Sequence, residues 1–212
     1  MALKPCRVLS VGSDFDDSFE RSMHDAAGCR SYIVDPTLGG ETDAAVLDFA
    51  AKVTAYGSTL NASVGLGDGG TILDRTGKHH RLVTFHSLLP NGWRRLSLIK
   101  LDVEGAEFTS LLHPRDGLLQ LCAEGALEVD QLVVEIHATA SVRPTLGTLH
   151  TVFSGAARCG LMLHHKEKTQ KTRHGLSNRG GLVEFSWASI QHVARLVGSQ
   201  HSVSESPISA VS

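Results

Sequence analysis

The stretch Leu98–Phe108 (LIKLDVEGAEF) runs an apolar segment into three carboxylates within six positions, Asp102, Glu104 and Glu107, with Gly105 among them. Like charges this close disfavour one another's ionised forms, so a ligand, a metal, a cationic substrate or helix-end amides must compensate. Further along, Glu135 and His137 are two apart in LVVEIH and so share one side of a strand. Histidine changes charge near neutral pH, which makes His137 a candidate base for deprotonating a hydroxyl. Asp102, Glu104 and His137 are therefore the candidate catalytic residues. The bland alternative for Asp102 is an N-cap for a helix beginning near Ala106, with Glu104 and Glu107 complementing the helix dipole. The same donors suit a divalent cation, but no metal site is assigned.

Two glycine signals compete for a nucleotide-like ligand. Gly65-Leu-Gly67-Asp-Gly69-Gly70 satisfies GxGxxG in form, yet a turn-rich, strand-like segment follows it where a dinucleotide loop requires a helix and a later acid. Val8-Leu-Ser-Val-Gly12-Ser13-Asp14 fits its surroundings better: a strand, a turn, then a helix, with Asp35 closing the next strand. A carboxylate at Asp35 can accept both hydroxyls of a ribose. One glycine in the turn gives no run of amides for a pyrophosphate, so a ligand with ribose and adenine but no phosphate fits, namely S-adenosylmethionine.

The elements that must position these residues are short apolar runs alternating with amphipathic segments. Strands are expected at Cys6–Val11, Ser31–Val34, Thr59–Val64, Leu96–Leu101, Leu132–Ile136, Leu161–His165 and Leu182–Ser186. Helices are expected at Asp17–Ala27, Thr42–Ala55, Ala106–Leu112, Gly117–Glu124 and Leu146–Cys159, and a hairpin-like excursion at Thr71–Leu73 and Arg81–Phe85. The alternation, with two strands together at the end, argues for an α/β sandwich on a mainly parallel sheet. Such sheets bind ligands beyond the carboxyl ends of their strands, which would bring the Gly12 turn, Asp35, Asp102 and His137 to one edge.

In order along the chain, these segments resemble the FkbM-type and related methyltransferase-like families of S-adenosylmethionine-dependent methyltransferases. LIKLDVEGAEF resembles their K-x-D-x-E-G-x-E motif, VLSVGSDFDDSFE a first motif with a D-x-S-F-E element, YIVDPT the second strand, QLVVEIH the fifth and GLVEFSW the last. The resemblance spans about Cys6 to Trp187. It implies a class I methyltransferase, Rossmann-like fold: seven strands, mainly parallel, the last antiparallel. It further implies S-adenosylmethionine as cofactor, bound by Gly12, Ser13, Asp14, Phe19, Glu20, Asp35, Pro36, Ser63, Val64 and Asp102. The expected activity is methyl transfer to the hydroxyl of a small-molecule or carbohydrate-like acceptor. Two features depart from the families: only five residues precede Cys6, and Ser13-Asp14 stand where further glycines are usual. The alternative is a non-catalytic module of the same fold that has lost the cofactor; a dehydrogenase ranks third.

Composition narrows the partners. A net charge of −2 and 5% aromatics argue against a polyanion-binding surface or a base-stacking platform, so no nucleic acid is expected. No segment is apolar enough to span a bilayer and no signal peptide is read at the N-terminus, so a cytoplasmic protein is expected. The four cysteines lie far apart without a CxxC pair, as expected of reduced structural thiols. Residues 1–197 read as one domain and the Ser-rich 198–212 as a disordered tail. Asp68–Asn91 and Glu167–Arg179 are the expected specificity segments. The oligomeric state is not legible.

Overall fold

The computed structural model describes residues 5–38, 44–64, 70–73, 79–90, 93–103, 105–138, 144–169 and 181–201. Glu104, most of the Gly65–Gly70 run and residues 170–179 of the basic segment lie outside the described residues.

Seven strands form the central sheet: β1 (Arg7–Val11), β2 (Arg30–Val34), β3 (Gly57–Leu60), β4 (Leu98–Leu101), β5 (Gln131–Ala138), β6 (Leu161–Thr169) and β7 (Gly181–Ser189). Their order is β6-β7-β5-β4-β1-β2-β3. All neighbours pair in parallel except β7, which runs antiparallel to both β5 and β6. The central strands read as near-continuous apolar runs because both faces are covered: β1 is buried at its last four residues, and β4 at three of four. The chain builds outward from β1 to β3, then returns to lay β4 on the other side of β1. That reversal makes the β1/β4 boundary the switch point where a crevice opens.

Among the described residues, seven helices accompany the sheet: α1 (Ser18–Ala27), α2 (Ala44–Val53), α3 (Phe85–Leu88), α4 (Glu107–Leu112), α5 (Leu118–Ala123), α6 (Leu146–Arg158) and α7 (Ile190–His201). Period-two alternation sorts the sheet residues between two faces. Leu9, Val11, Val34, Ile99 and Leu101 join the main core with Leu111, Leu118, Val152 and Ala156 from α4, α5 and α6. Val8 and Leu98 pack with Phe19 and Met23 of α1, and Ile33 with Phe49 and Val53 of α2. Helices therefore cover both faces and leave the carboxyl edge for chemistry.

The sheet and its helices match the expected class I methyltransferase arrangement, while several details differ. The third strand stops at Leu60; Ser63–Val64 instead pairs with His79–Val83, which also pairs antiparallel with Thr71–Leu73. Phe85 is helical, because Thr84 and Ser87 form a reciprocal capping box that starts α3. Helix α7 continues through His201, four residues into the segment expected as a tail. Among the described residues, no helix is long and apolar enough to cross a membrane.

The cysteine expectation is corrected. Arg7 pairs with Arg30 across β1 and β2, so the residues just before them, Cys6 and Cys29, lie side by side, 4.5 Å apart at Cα, and form a disulfide. Parallel register produced a pairing that a separation of 23 residues conceals in sequence. Cys122 and Cys159 are free. The thiol argument for a reducing compartment therefore does not hold for this pair.

Candidate active site

The turn after β1 is locked to the end of β4. Gly12 adopts φ +85°, and a Cβ there would sit 1.7 Å from the Asp102 carbonyl oxygen, so both conformation and space demand glycine. The Asp102 amide donates to the Val11 carbonyl at 2.9 Å, and Lys100 Nζ donates to the Gly12 carbonyl at 3.3 Å. Lys100 Nζ also lies 5.8 Å above the Phe19 ring. The first motif and the carboxylate motif thus form one unit. Beyond Gly12, Asp14 (φ +46°) and Phe15 (φ +61°) are left-handed without being glycine, and each costs about 1–3 kcal/mol that the surroundings must offset.

Asp35 offsets that cost. It closes β2 and is 3% exposed. Its Oδ2 accepts from the Ser13 and Asp14 amides at 2.6 and 2.8 Å, and from the Ser13 hydroxyl at 3.3 Å. Its Oδ1 accepts from the Thr37 amide and hydroxyl at 2.7 and 2.5 Å. Burial pushes this carboxyl's pKa up, but the hydrogen bonds from Thr37, Asp14 and Ser13 outweigh it and hold the group below the ordinary carboxylate range. With about two acceptor positions per oxygen, the carboxylate is filled by the protein itself. Asp17, which precedes α1, does not cap it but accepts from the Tyr56 hydroxyl at 2.5 Å; burial, then Asp17, push that phenol's pKa up.

Three residues converge at the ends of β4 and β5. His137 Nδ1 lies 2.7 Å from Glu107 Oε1, and His137 Nε2 lies 3.8 Å from Asp102 Oδ1. Glu107 is fully buried and His137 nearly so, whereas the Asp102 side chain keeps 21% exposure. The same Glu107 oxygen accepts from the Gly105 amide at 2.9 Å, which fixes its position. The contact at Nδ1 fixes the orientation of the His137 ring, with Nε2 on the side of Asp102. The 3.8 Å separation from Asp102 is too long for a direct hydrogen bond. Glu107, read from sequence as a dipole complement, is the residue that reasoning missed. Its spacing gave it to the first turn of α4, and only the fold brings His137 to it.

The remaining expected residues are dispersed. Pro36 follows Asp35 into a short 3-10 turn, and Phe19 is half-buried on α1. Glu20 is fully buried with neither carboxylate oxygen hydrogen-bonded. Val64 belongs to the main core, and Ser63 sits beside it in the small sheet. Glu135 is buried and faces Glu184 across β5 and β7. Among the described residues, no cluster of three or more His, Cys, Asp or Glu could hold a metal ion.

No protein-family model matches the chain, and no curated protein matches it in sequence. Solved structures do share its architecture. The human methyltransferase 10 domain containing protein is 10% identical with a TM-score of 0.46, over 88% of this chain and 73% of that one. A 16S rRNA (adenine(1408)-N(1))-methyltransferase from Catenulisporales acidiphilia is 12% identical with a TM-score of 0.49, over 87% and 85%. The TrmK protein of M. capricolum, bound to S-adenosylhomocysteine, is 9% identical with a TM-score of 0.45, over 88% and 63%. At these identities the likeness concerns the fold alone, a class I methyltransferase fold. One expectation falls: nucleic acid is not excluded as a partner, because proteins of this fold include an rRNA methyltransferase. Scarce aromatics argue against a stacking platform along a strand, not against a pocket that takes a single reacting group.

Proposed function

We propose that this chain is an S-adenosylmethionine-dependent methyltransferase acting on a hydroxyl, and that its resemblance is to the FkbM-type group. The observation that carries the reading is the meeting of Asp102, His137 and Glu107 at the ends of β4 and β5, beside the β1/β4 switch point. The cofactor, when bound, supplies an activated methyl group on a sulfonium. Asp102, half-buried beside the Gly12 turn, is the carboxylate that would face that positive charge, and low local dielectric strengthens such a contact. Glu107 holds the His137 ring in place, and the imidazole would take the acceptor's hydroxyl proton. With the methyl group transferred and neutral S-adenosylhomocysteine as the leaving product, Glu107 and Asp102 would offset the positive charge that His137 gains with the proton. The turn locked by Gly12 and Lys100 keeps these groups in register, and orientation of this kind supplies much of the rate gain in transfer reactions.

Asp35 complicates the cofactor fit. Its oxygens are filled by Ser13, Asp14 and Thr37, so in this conformation it shapes the loop and does not offer free acceptors to a ribose. That observation favours the second reading, a non-catalytic module of the same fold. Saturable calorimetric binding of S-adenosylhomocysteine, with a rise in thermal midpoint, supports the enzyme. Absence of both at millimolar ligand supports the module.

A further inference from the structure

Helices α5 and α6 bring together the two thiols that lie outside the Cys6–Cys29 disulfide. Leu119 of α5 packs against Gly155 of α6 so closely that a Cβ on Gly155 would lie 2.8 Å from Leu119 Cδ1. One turn further along the same faces stand Cys122 of α5 and Cys159, which caps α6. The Cys159 thiol donates to the Leu119 carbonyl at 3.5 Å, which turns its sulfur toward α5, and there the Cys122 thiol interacts with it. Gly155 sets the spacing, since a side chain in its place would push α5 away and part the two sulfurs.

Both thiols are half-buried, so a small oxidant can reach them while the packing of α5 on α6 keeps them together. Their surroundings are unequal. The Cys122 thiol donates toward Cys159, which lowers the pKa of Cys159 and raises that of Cys122; Arg158 adds to the lowering, and burial opposes it. Cys159 is therefore the readier thiolate of the pair, and the thiolate is the form that attacks a disulfide.

We propose that Cys122 and Cys159 are a reversible dithiol–disulfide pair joining α5 to α6, with Cys159 as the attacking thiol and Cys122 as the resolving one. The oxidant is a small-molecule disulfide. The Cys159 thiolate bonds to one sulfur of that disulfide and expels the other half, which leaves with the proton Cys159 gave up. The Cys122 sulfur then bonds to Cys159, loses its own proton and expels the second half. The chain gives up two hydrogens and two electrons, and the oxidant leaves as two thiols. The new link restrains the unfolded chain and so raises stability. It uses none of the residues assigned to methyl transfer.

Treating the whole protein, purified without reductant, with oxidised glutathione and mapping its peptides without reduction tests the proposal. The expected product is a Cys122–Cys159 cross-link, with the chain two hydrogens lighter, a higher thermal midpoint than the dithiol form, and reversal by reduced glutathione. A cross-link already present after purification and opened by reduced glutathione is the same result. Cys122→Ser should stop at a glutathione adduct on Cys159, while Cys159→Ser should react at Cys122 about tenfold more slowly. Both variants, before oxidation, should keep the thermal midpoint of the wild-type dithiol form, which separates a lost reaction from a lost fold. Three results would overturn the proposal: separate glutathione adducts on both cysteines of the wild type; equal rates in the two single variants; or no reaction of either thiol under conditions that oxidise a free cysteine peptide.

Discussion

Replacing Asp35 by asparagine probes the most heavily bonded side chain of the site. Asparagine keeps one acceptor oxygen and puts an NH2 where the other stood. Its better orientation turns the oxygen to the Ser13 and Asp14 amides and the NH2 to Thr37, whose hydroxyl can rotate to accept. The Thr37 amide then loses its partner in a buried place, at about 1–3 kcal/mol, and two charge-assisted bonds become neutral ones. A net destabilisation of about 2–4 kcal/mol is expected at pH 7, read from urea unfolding followed by circular dichroism. The native carboxyl titrates below its ordinary value near 3.9, so its contribution is full above about pH 4 and drains away as pH falls through the lowered native pKa. The gap between wild type and Asp35→Asn should therefore narrow below about pH 4. A gap under about 0.5 kcal/mol, or one that is constant with pH, would refute the loop-clamp account. If Asp35 acts through the loop, wild type and variant should also discriminate equally between S-adenosylhomocysteine and its 2′-deoxy analogue. A direct ribose contact predicts that discrimination is lost with the carboxylate.

Four further outcomes follow from the geometry. His137→Ala should slow turnover about 10²-fold or more while leaving S-adenosylhomocysteine affinity near wild type, and Glu107→Gln should shift the pH–rate profile of an otherwise folded enzyme. Gly12→Ala should destabilise by about 3 kcal/mol or more in thermal or urea unfolding, since its Cβ meets the Asp102 carbonyl at 1.7 Å and its φ is +85°. Reducing the Cys6–Cys29 disulfide, with a sequence separation of 23, should cost about 3 kcal/mol, seen as a lower unfolding midpoint in dithiothreitol that Cys6→Ser reproduces without reductant.

The sheet was legible in sequence because β1, β2, β4 and β5 are apolar runs long enough to stand out, with helix-period segments between the first of them. Strand ends also put Asp35, Asp102 and His137 along one edge of the sheet, since topology decides which ends share an edge. Contacts made by long-range register were not legible. Nothing local marks Cys6 as the neighbour of Cys29, or Glu107 as the partner of a histidine 30 positions away. Asp35 was correctly placed, but its neighbourhood was not visible: the left-handed Asp14 and Phe15 turn two amides onto it, and no propensity argument anticipates such a turn without glycine. Glu20, expected near the cofactor from its motif, is fully buried on α1, which its sequence pattern does not reveal. Helix α7 was passed over because its residues near Gly198 have the composition of a tail, while Asp130 fastens its His192 and Arg195 to the body.

The central claim is that a cationic methyl donor sits beside Asp102. Calorimetry of wild type and Asp102→Asn with S-adenosylmethionine and S-adenosylhomocysteine tests it most directly, because the two ligands differ by the sulfonium charge. The account predicts that wild type binds both, and that the substitution weakens the charged ligand by about 1 kcal/mol more than the neutral one, with the unfolding midpoint little changed. Equal losses for the two ligands, or no binding of either by wild type, would contradict it.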